Sequence, residues 1–155
     1  MRRLQASLLG GLFIGVLSGL PIVAYGNACC CLWVVLGGLL TTWLRQQAHE
    51  SLEPTDVALA GLLAGVAGAI ITVAMSAMLF FFTGDLVEQE MQRVIEQYPQ
   101  LPPDVRDRLM ALTSGPGLLL LTLFVSLPAY AVFAMAGALL GLLFFRKPQP
   151  PPVAS

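Results

Sequence analysis

Cys29, Cys30 and Cys31 are the first residues to suggest chemistry, three thiols in a row within an apolar stretch. A metal held by thiolates needs them to converge on one ion, usually from separated segments. Successive residues of a helix point about 100° apart, so a helical triplet does not converge. Disulfide-generating membrane enzymes need paired, exchange-competent cysteines, and the loop between the third and fourth apolar stretches has none. The triplet therefore reads as small apolar packing, with lipid attachment, redox exchange and metal binding as the chemical alternatives. His49 is the single histidine, beside Glu50, Glu53 and Asp56. It reads as part of a solvated turn, with metal ligation as the alternative. Pro21 and Pro128 interrupt apolar runs, where each frees a carbonyl and bends a helix. No nucleophile–base pair, phosphate loop or zinc-protease motif occurs. The expectation is a protein without catalytic residues, metal or cofactor, and so not an enzyme.

The elements around these residues are those of a membrane protein. The chain is 57% hydrophobic and only 11% charged, and its mean hydropathy is +0.80. Soluble domains carry about a quarter charged residues, so this chain could not cover its surface with polar groups. The net charge is −1 with no basic run, which gives nucleic acid no electrostatic foothold. The lipid bilayer is the expected partner.

Four apolar stretches lie near the roughly 20 residues that cross about 30 Å of hydrocarbon. They span about residues 4–25, 28–44, 57–83 and 118–145, and none contains Asp, Glu, Lys, Arg or His. Backbone satisfaction in lipid makes them helices. The expected fold is all-α: a four-helix transmembrane domain over residues 1–147, followed by a Pro-rich disordered tail, 148–155. Cleavage ahead of Cys29, as in a lipoprotein signal peptide, is the rival reading of the N-terminus. Against it stands Gly26, where an aliphatic residue would be expected. Arg2, Arg3, Arg45, Arg146 and Lys147 flank the spans on one side, against Arg93, Arg106 and Arg108 on the other. The positive-inside rule then places both termini in the cytoplasm.

An outer helical loop over about residues 84–116 separates spans three and four. Val87, Met91, Val94, Ile95 and Tyr98 form a first apolar stripe. A second helix begins near Pro103, with Val105, Leu109 and Leu112 on one face, and ends at Gly115-Pro116-Gly117. Asp85, Glu88, Glu90, Glu96, Asp104 and Asp107 outnumber its three arginines, so anionic lipid would repel it.

Small residues recur at helical spacing in every span. Ser7, Gly11, Gly15 and Gly19 follow four-residue steps; Gly61, Gly65 and Ala69 do the same beside Ala64, Gly68 and Thr72. Gly37 and Gly38 precede Thr41 and Thr42, and Gly137 and Gly141 accompany Ala134 and Ala138. Residues four apart share a helix face, and in lipid close backbone approach gains dispersion that buried leucine does not. This glycine-zipper pattern marks where helices meet one another or a second copy. Gly11-Leu12-Phe13-Ile14-Gly15-Val16 also echoes Gly61-Leu62-Leu63-Ala64-Gly65-Val66, so spans one and three read as counterparts of a duplicated hairpin.

The run from Pro21 to Trp33, with its Tyr25-Gly26-Asn27 and cysteine triplet, then Gly37-Gly38, Gly61–Gly65 and Gly137–Gly141 ahead of Arg146-Lys147, resembles a group of small, uncharacterised bacterial four-span membrane proteins. The resemblance implies a bacterial inner membrane and carries no activity with it. Two function classes follow. The chain is a structural or assembly component, self-associating or docking into a larger membrane complex through its Gly/Ala/Ser stripes; the alternative is a passive channel or small-solute permease. On the expected topology, a membrane-impermeant maleimide applied to intact spheroplasts labels the triplet from outside. Labelling only after lysis would reverse the orientation.

Overall fold

The computed structural model describes residues 3–20, 23, 25–28, 31–49, 52–100, 102–113 and 115–145. Pro21, Cys29, Cys30, Glu50, Arg146, Lys147 and the 148–155 tail lie outside them. Every regular element among the described residues is helical: α1 (Arg3–Gly19), a 3-10 turn (Tyr25–Ala28), α2 (Leu32–Gln47), α3 (Pro54–Glu96), α4 (Pro103–Thr113) and α5 (Gly115–Phe145).

Local chemistry sets the helix ends. Pro54 opens α3 with its fixed φ behind an extended Glu53, and Asp56 sits in the first turn, where a carboxylate meets the positive end of the helix dipole. Pro103 opens α4 in the same way, with Asp104 in its first turn. α2 starts after Cys31, whose φ of 52° is left-handed. It ends in a second left-handed residue, His49, at φ 56°; the His49 N–H donates to the Gln46 carbonyl at 3.0 Å, closing the last turn.

Four boundaries differ from the sequence reading. α1 ends at Gly19 rather than near Tyr25, which belongs instead to the separate 3-10 turn. α3 does not stop near Thr83 but runs unbroken for 43 residues to Glu96, so the first part of the outer loop continues the third helix. Its interior contains no proline and the apolar stripe through Ile95 keeps helical spacing, so nothing forces a stop. Gly115-Pro116-Gly117 opens α5 rather than closing the helix before it, as proline in a first turn allows. The second helix begins at Leu32, not Ala28.

Two helices are long and apolar enough to cross a membrane, over Pro54–Gly84 and Gly117–Phe145. α1 and α2, at 17 and 16 residues, each extend about 25 Å, shorter than the hydrocarbon layer.

α1 packs against α3 and α2, and α5 against α3 and α2, with α2 and α3 meeting across the diagonal. Contact registers give the directions. Gly11 meets Ala64 and Ala67, Gly15 meets Gly68 and Ile71, and Gly19 meets Met75, so α1 and α3 run parallel. Gly61 meets Ala134 and Ala138 whereas Gly65 meets Tyr130 and Ala131, so α3 and α5 run antiparallel. Two hairpins thus stand side by side. The echoed glycines play different parts: Gly11 and Gly15 face a parallel neighbour, Gly61 and Gly65 an antiparallel one.

The packing inverts that of a water-soluble domain. The buried apolar residues are mostly alanine (Ala6, Ala60, Ala64, Ala69, Ala134 and Ala138), and no phenylalanine among the described residues is buried. Phe81 is 85% exposed, Leu143 78% and Phe124 76%. Soluble proteins place large aliphatic and aromatic residues inside.

Gly65 and Gly19 make opposite predictions. A Cβ on Gly65 would strike the Tyr130 carbonyl and come 2.8 Å from the Ala131 Cα, both backbone. On Gly19 it would meet only the Met75 side chain, at 3.0 Å. Gly65→Ala should cost about 1–3 kcal/mol and Gly65→Leu more, whereas Gly19→Ala should be nearly neutral. Unfolding in detergent micelles measures the contrast, and equal stabilities for the two alanine variants would refute this account of the packing.

Candidate functional site

The small residues picked out by their spacing fall mainly at helix crossings. Ile14 of α1, fully buried, sits between two of them. A Cβ on Gly37 would strike its side chain, and one on Gly68 would lie 2.6 Å from its Cγ2. Ile14, Val34, Ala64 and Ala134 form the central cluster, one from each of the four long helices, with Cys31 and Tyr130 against it. Gly38 faces the Ala134 carbonyl and the Ala138 amide of α5, and Gly137 faces the Val35 carbonyl of α2. Gly141 lies against Thr42, where an added methyl group would stand 2.9 Å from the threonine Cβ. Ser7, the first residue of the α1 stripe, is buried instead in a cleft at the bundle's end. Gly10, which sequence reasoning passed over, backs onto Thr41 and the Gly37 carbonyl of α2. Its signal was its place one residue before Gly11, on the neighbouring face of α1.

Threonines stitch the same crossings. Thr42 Oγ1 donates to the Ala138 carbonyl at 2.9 Å, linking α2 to α5. Thr72 Oγ1 donates to the Gly15 carbonyl at 3.5 Å, linking α3 to α1. Thr41 instead bonds back to Gly37 of its own helix at 2.9 Å.

At the end where the 3-10 turn lies, the chain is tied by polar side chains. Asn27 Nδ2 donates to Ser18 Oγ at 2.8 Å, and Trp33 Nε1 donates to the Val23 carbonyl at 2.7 Å. The Trp33 indole lies over Gly26, leaving no room for a side chain there. Asn27 Oδ1 and Ser126 Oγ are buried without a hydrogen-bond partner among the described residues. α5 continues through Pro128.

Cys31 occupies the α2 N-cap rather than a helical position, its N–H donating to the Asn27 carbonyl at 3.0 Å and its carbonyl accepting from Val34 and Val35. The left-handed backbone turns it away from the direction a continuous helix would give, so the assumption of three helical cysteines fails at this residue. His49 is exposed at the end of α2. No three His, Cys, Asp or Glu side chains among the described residues group as a metal site.

The opposite end of the bundle holds the one deeply buried charge that the described residues show. Arg45, in the last turn of α2, is only 1% exposed. Its Nη1 donates to the Asp56 carbonyl at 2.7 Å, and its Nη2 stands 4.0 Å from Asp56 Oδ2. Beside it, Gln46 Nε2 donates to the Phe145 carbonyl at 2.7 Å, capping the end of α5. The sequence marked Arg45 only as a cation flanking a span. Its signal as a buried partner was Asp56, eleven residues on, in the first turn of the next helix. Leu4, Ser7, Arg45, Asp56, Leu59, Ala60 and Leu63 line a cleft of about 90 Å³ between α1 and α3.

Comparison with protein-family models, curated proteins and solved structures returned no match.

Breaking the pair from its two sides should have unequal effects. Arg45→Ala removes the charge-assisted hydrogen bond to the Asp56 carbonyl that ties α2 to α3 and leaves the space of a large buried side chain unfilled, and should cost about 3 kcal/mol. Asp56→Asn keeps the carbonyl that Arg45 Nη1 uses, so it should cost less than half as much. Thermal unfolding in detergent gives the order, and Asp56→Asn proving the more damaging of the two would contradict it.

Proposed function

We propose that the chain is a four-span integral membrane protein whose role is structural: a component that associates with another copy or with a larger membrane complex. The inverted packing carries this reading. Large apolar side chains cover the outside of α1, α3 and α5 while glycine, alanine, serine and threonine fill the inside, an arrangement suited to lipid as solvent. The short α1 and α2 would reach across with local thinning of the bilayer or with the residues that flank them. The resemblance of the sequence to small bacterial membrane proteins favours a bacterial inner membrane, and the Lys/Arg distribution favours both termini in the cytoplasm.

Within this reading, the division of labour among surfaces shifts from what the stripes alone suggested. The glycines at the crossings are engaged by helices of the same chain, so association with a partner falls to other faces. Beyond Gly84, α3 carries on as a polar extension of about 18 Å, and α4 lies against it and α5. Ile95 is buried there, whereas Val94, Tyr98, Val105, Leu109 and Leu112 stay exposed. That outer, net acidic platform is the surface most available to a partner.

A passive pore within one chain is disfavoured by the filled centre at Ile14 and Val34, both fully buried. Reconstitution into liposomes tests the choice: a structural component should leave ion and small-solute flux at the level of empty vesicles, and saturable or ion-selective flux would overturn the proposal.

A further inference from the structure

We propose that α4 is an interfacial helix whose outward face docks on the phospholipid headgroup layer of the bilayer that the chain spans, with Arg106 and Arg108 holding phosphates on either side. This rests on the membrane reading above and adds a lipid contact outside the spans.

The residue order of α4 separates its side chains by face. At about 100° per residue, Val105, Leu109 and Leu112 fall within an arc of about 60°. All three are exposed, at 41%, 37% and 50%. Arg106 borders that arc beyond Leu109, and Arg108 borders it beyond Leu112. Asp107 lies opposite, and Asp104 comes after Arg108 on the way round. The outer loop as a whole has six acids against three arginines, but on α4 the acids turn away from the apolar face and the arginines flank it.

Neither of these arginines is answered within the protein. Among the described residues no hydrogen bond or ion pair holds either guanidinium, and the half-buried Arg106 has its Nε enclosed without a partner. Arg93, the third arginine of the loop, is paired with Glu90 at 2.6 Å. Position supplies the depth. A Cβ on Gly117, where the apolar span of α5 opens, would strike the Ala111 carbonyl and lie 3.1 Å from the Leu112 Cα. The last turn of α4 therefore sits at the mouth of a membrane span, at the level of headgroups.

The flanking charges choose the occupant. A helix resting on a bilayer has phosphates on both sides of its apolar stripe, and arginine grips phosphate through paired hydrogen bonds. A second copy presenting the same stripe would bring arginine against arginine in either direction. Asp104 and Asp107 balance Arg106 and Arg108, so zwitterionic phospholipid suffices. Val94 and Tyr98, on and just beyond the tip of α3, are left for a protein partner.

Photocrosslinking of the full chain in phosphatidylcholine vesicles, read by mass spectrometry, tests the contact. Leu109→p-benzoylphenylalanine should yield phospholipid adducts at least about fivefold above Asp107→p-benzoylphenylalanine on the opposite face. Adding Arg106→Gln with Arg108→Gln should lower the Leu109 yield about threefold, whereas Arg106→Lys with Arg108→Lys should keep it. Equal yields from the two faces, a yield indifferent to the glutamine pair, or a crosslink from Leu109 to a second copy in place of lipid overturns the proposal. Leu143→p-benzoylphenylalanine separates the two readings, because Leu143 is 78% exposed within the α5 span. Lipid adducts there but not at Leu109 overturn the docking alone; none at either position overturns the membrane reading.

Discussion

Gly38 and Gly65 show the constraint on which this bundle depends: a methyl group at either would run into a backbone carbonyl of α5. At those points main chain meets main chain, with no space between the helices for even a methyl group. Such contact gathers many weak dispersion interactions and brings threonine hydroxyls within reach of carbonyls on the next helix, as Thr42 reaches Ala138. The large side chains are left to face outward because the inside has no room for them. Arg45 is the exception that marks the bundle's end, where a cation can be enclosed because the start of the following helix supplies a carbonyl and a carboxylate.

Much of this arrangement could be read from residue order, since a glycine every fourth residue is a geometric statement about one face of a helix. Gly11, Gly15, Gly61 and Gly65 fall at crossings on that account. Which helix each one meets could not be read, because spacing carries no information about the partner. Gly11 and Gly61 occupy matching places in echoed segments and yet face neighbours of opposite direction. Both of these glycines meet helices of the same chain.

Boundaries were less legible for a related reason. Apolar residues give way to charged ones near Gly84, and composition alone places the end of the third helix there, but hydrogen bonding along a helix is indifferent to that change. Only a proline or a competing cap would have stopped it, and neither comes before Glu96. The left-handed Cys31 and His49 were hidden because neither residue type announces that backbone. The pairing of Arg45 with Asp56 was equally hidden, since a cation beside a span reads first as an orientation signal.

An unbroken α3 has a mechanical consequence. Its 43 residues make a rod of roughly 65 Å, with Asp56 near one tip and Glu96 at the other. A rod without a joint relays motion by swinging, so a change in tilt of about 5° at the bundle moves the far tip by roughly 6 Å. The α4 platform lies against that far stretch and against α5, so a tilt of α3 would carry it along.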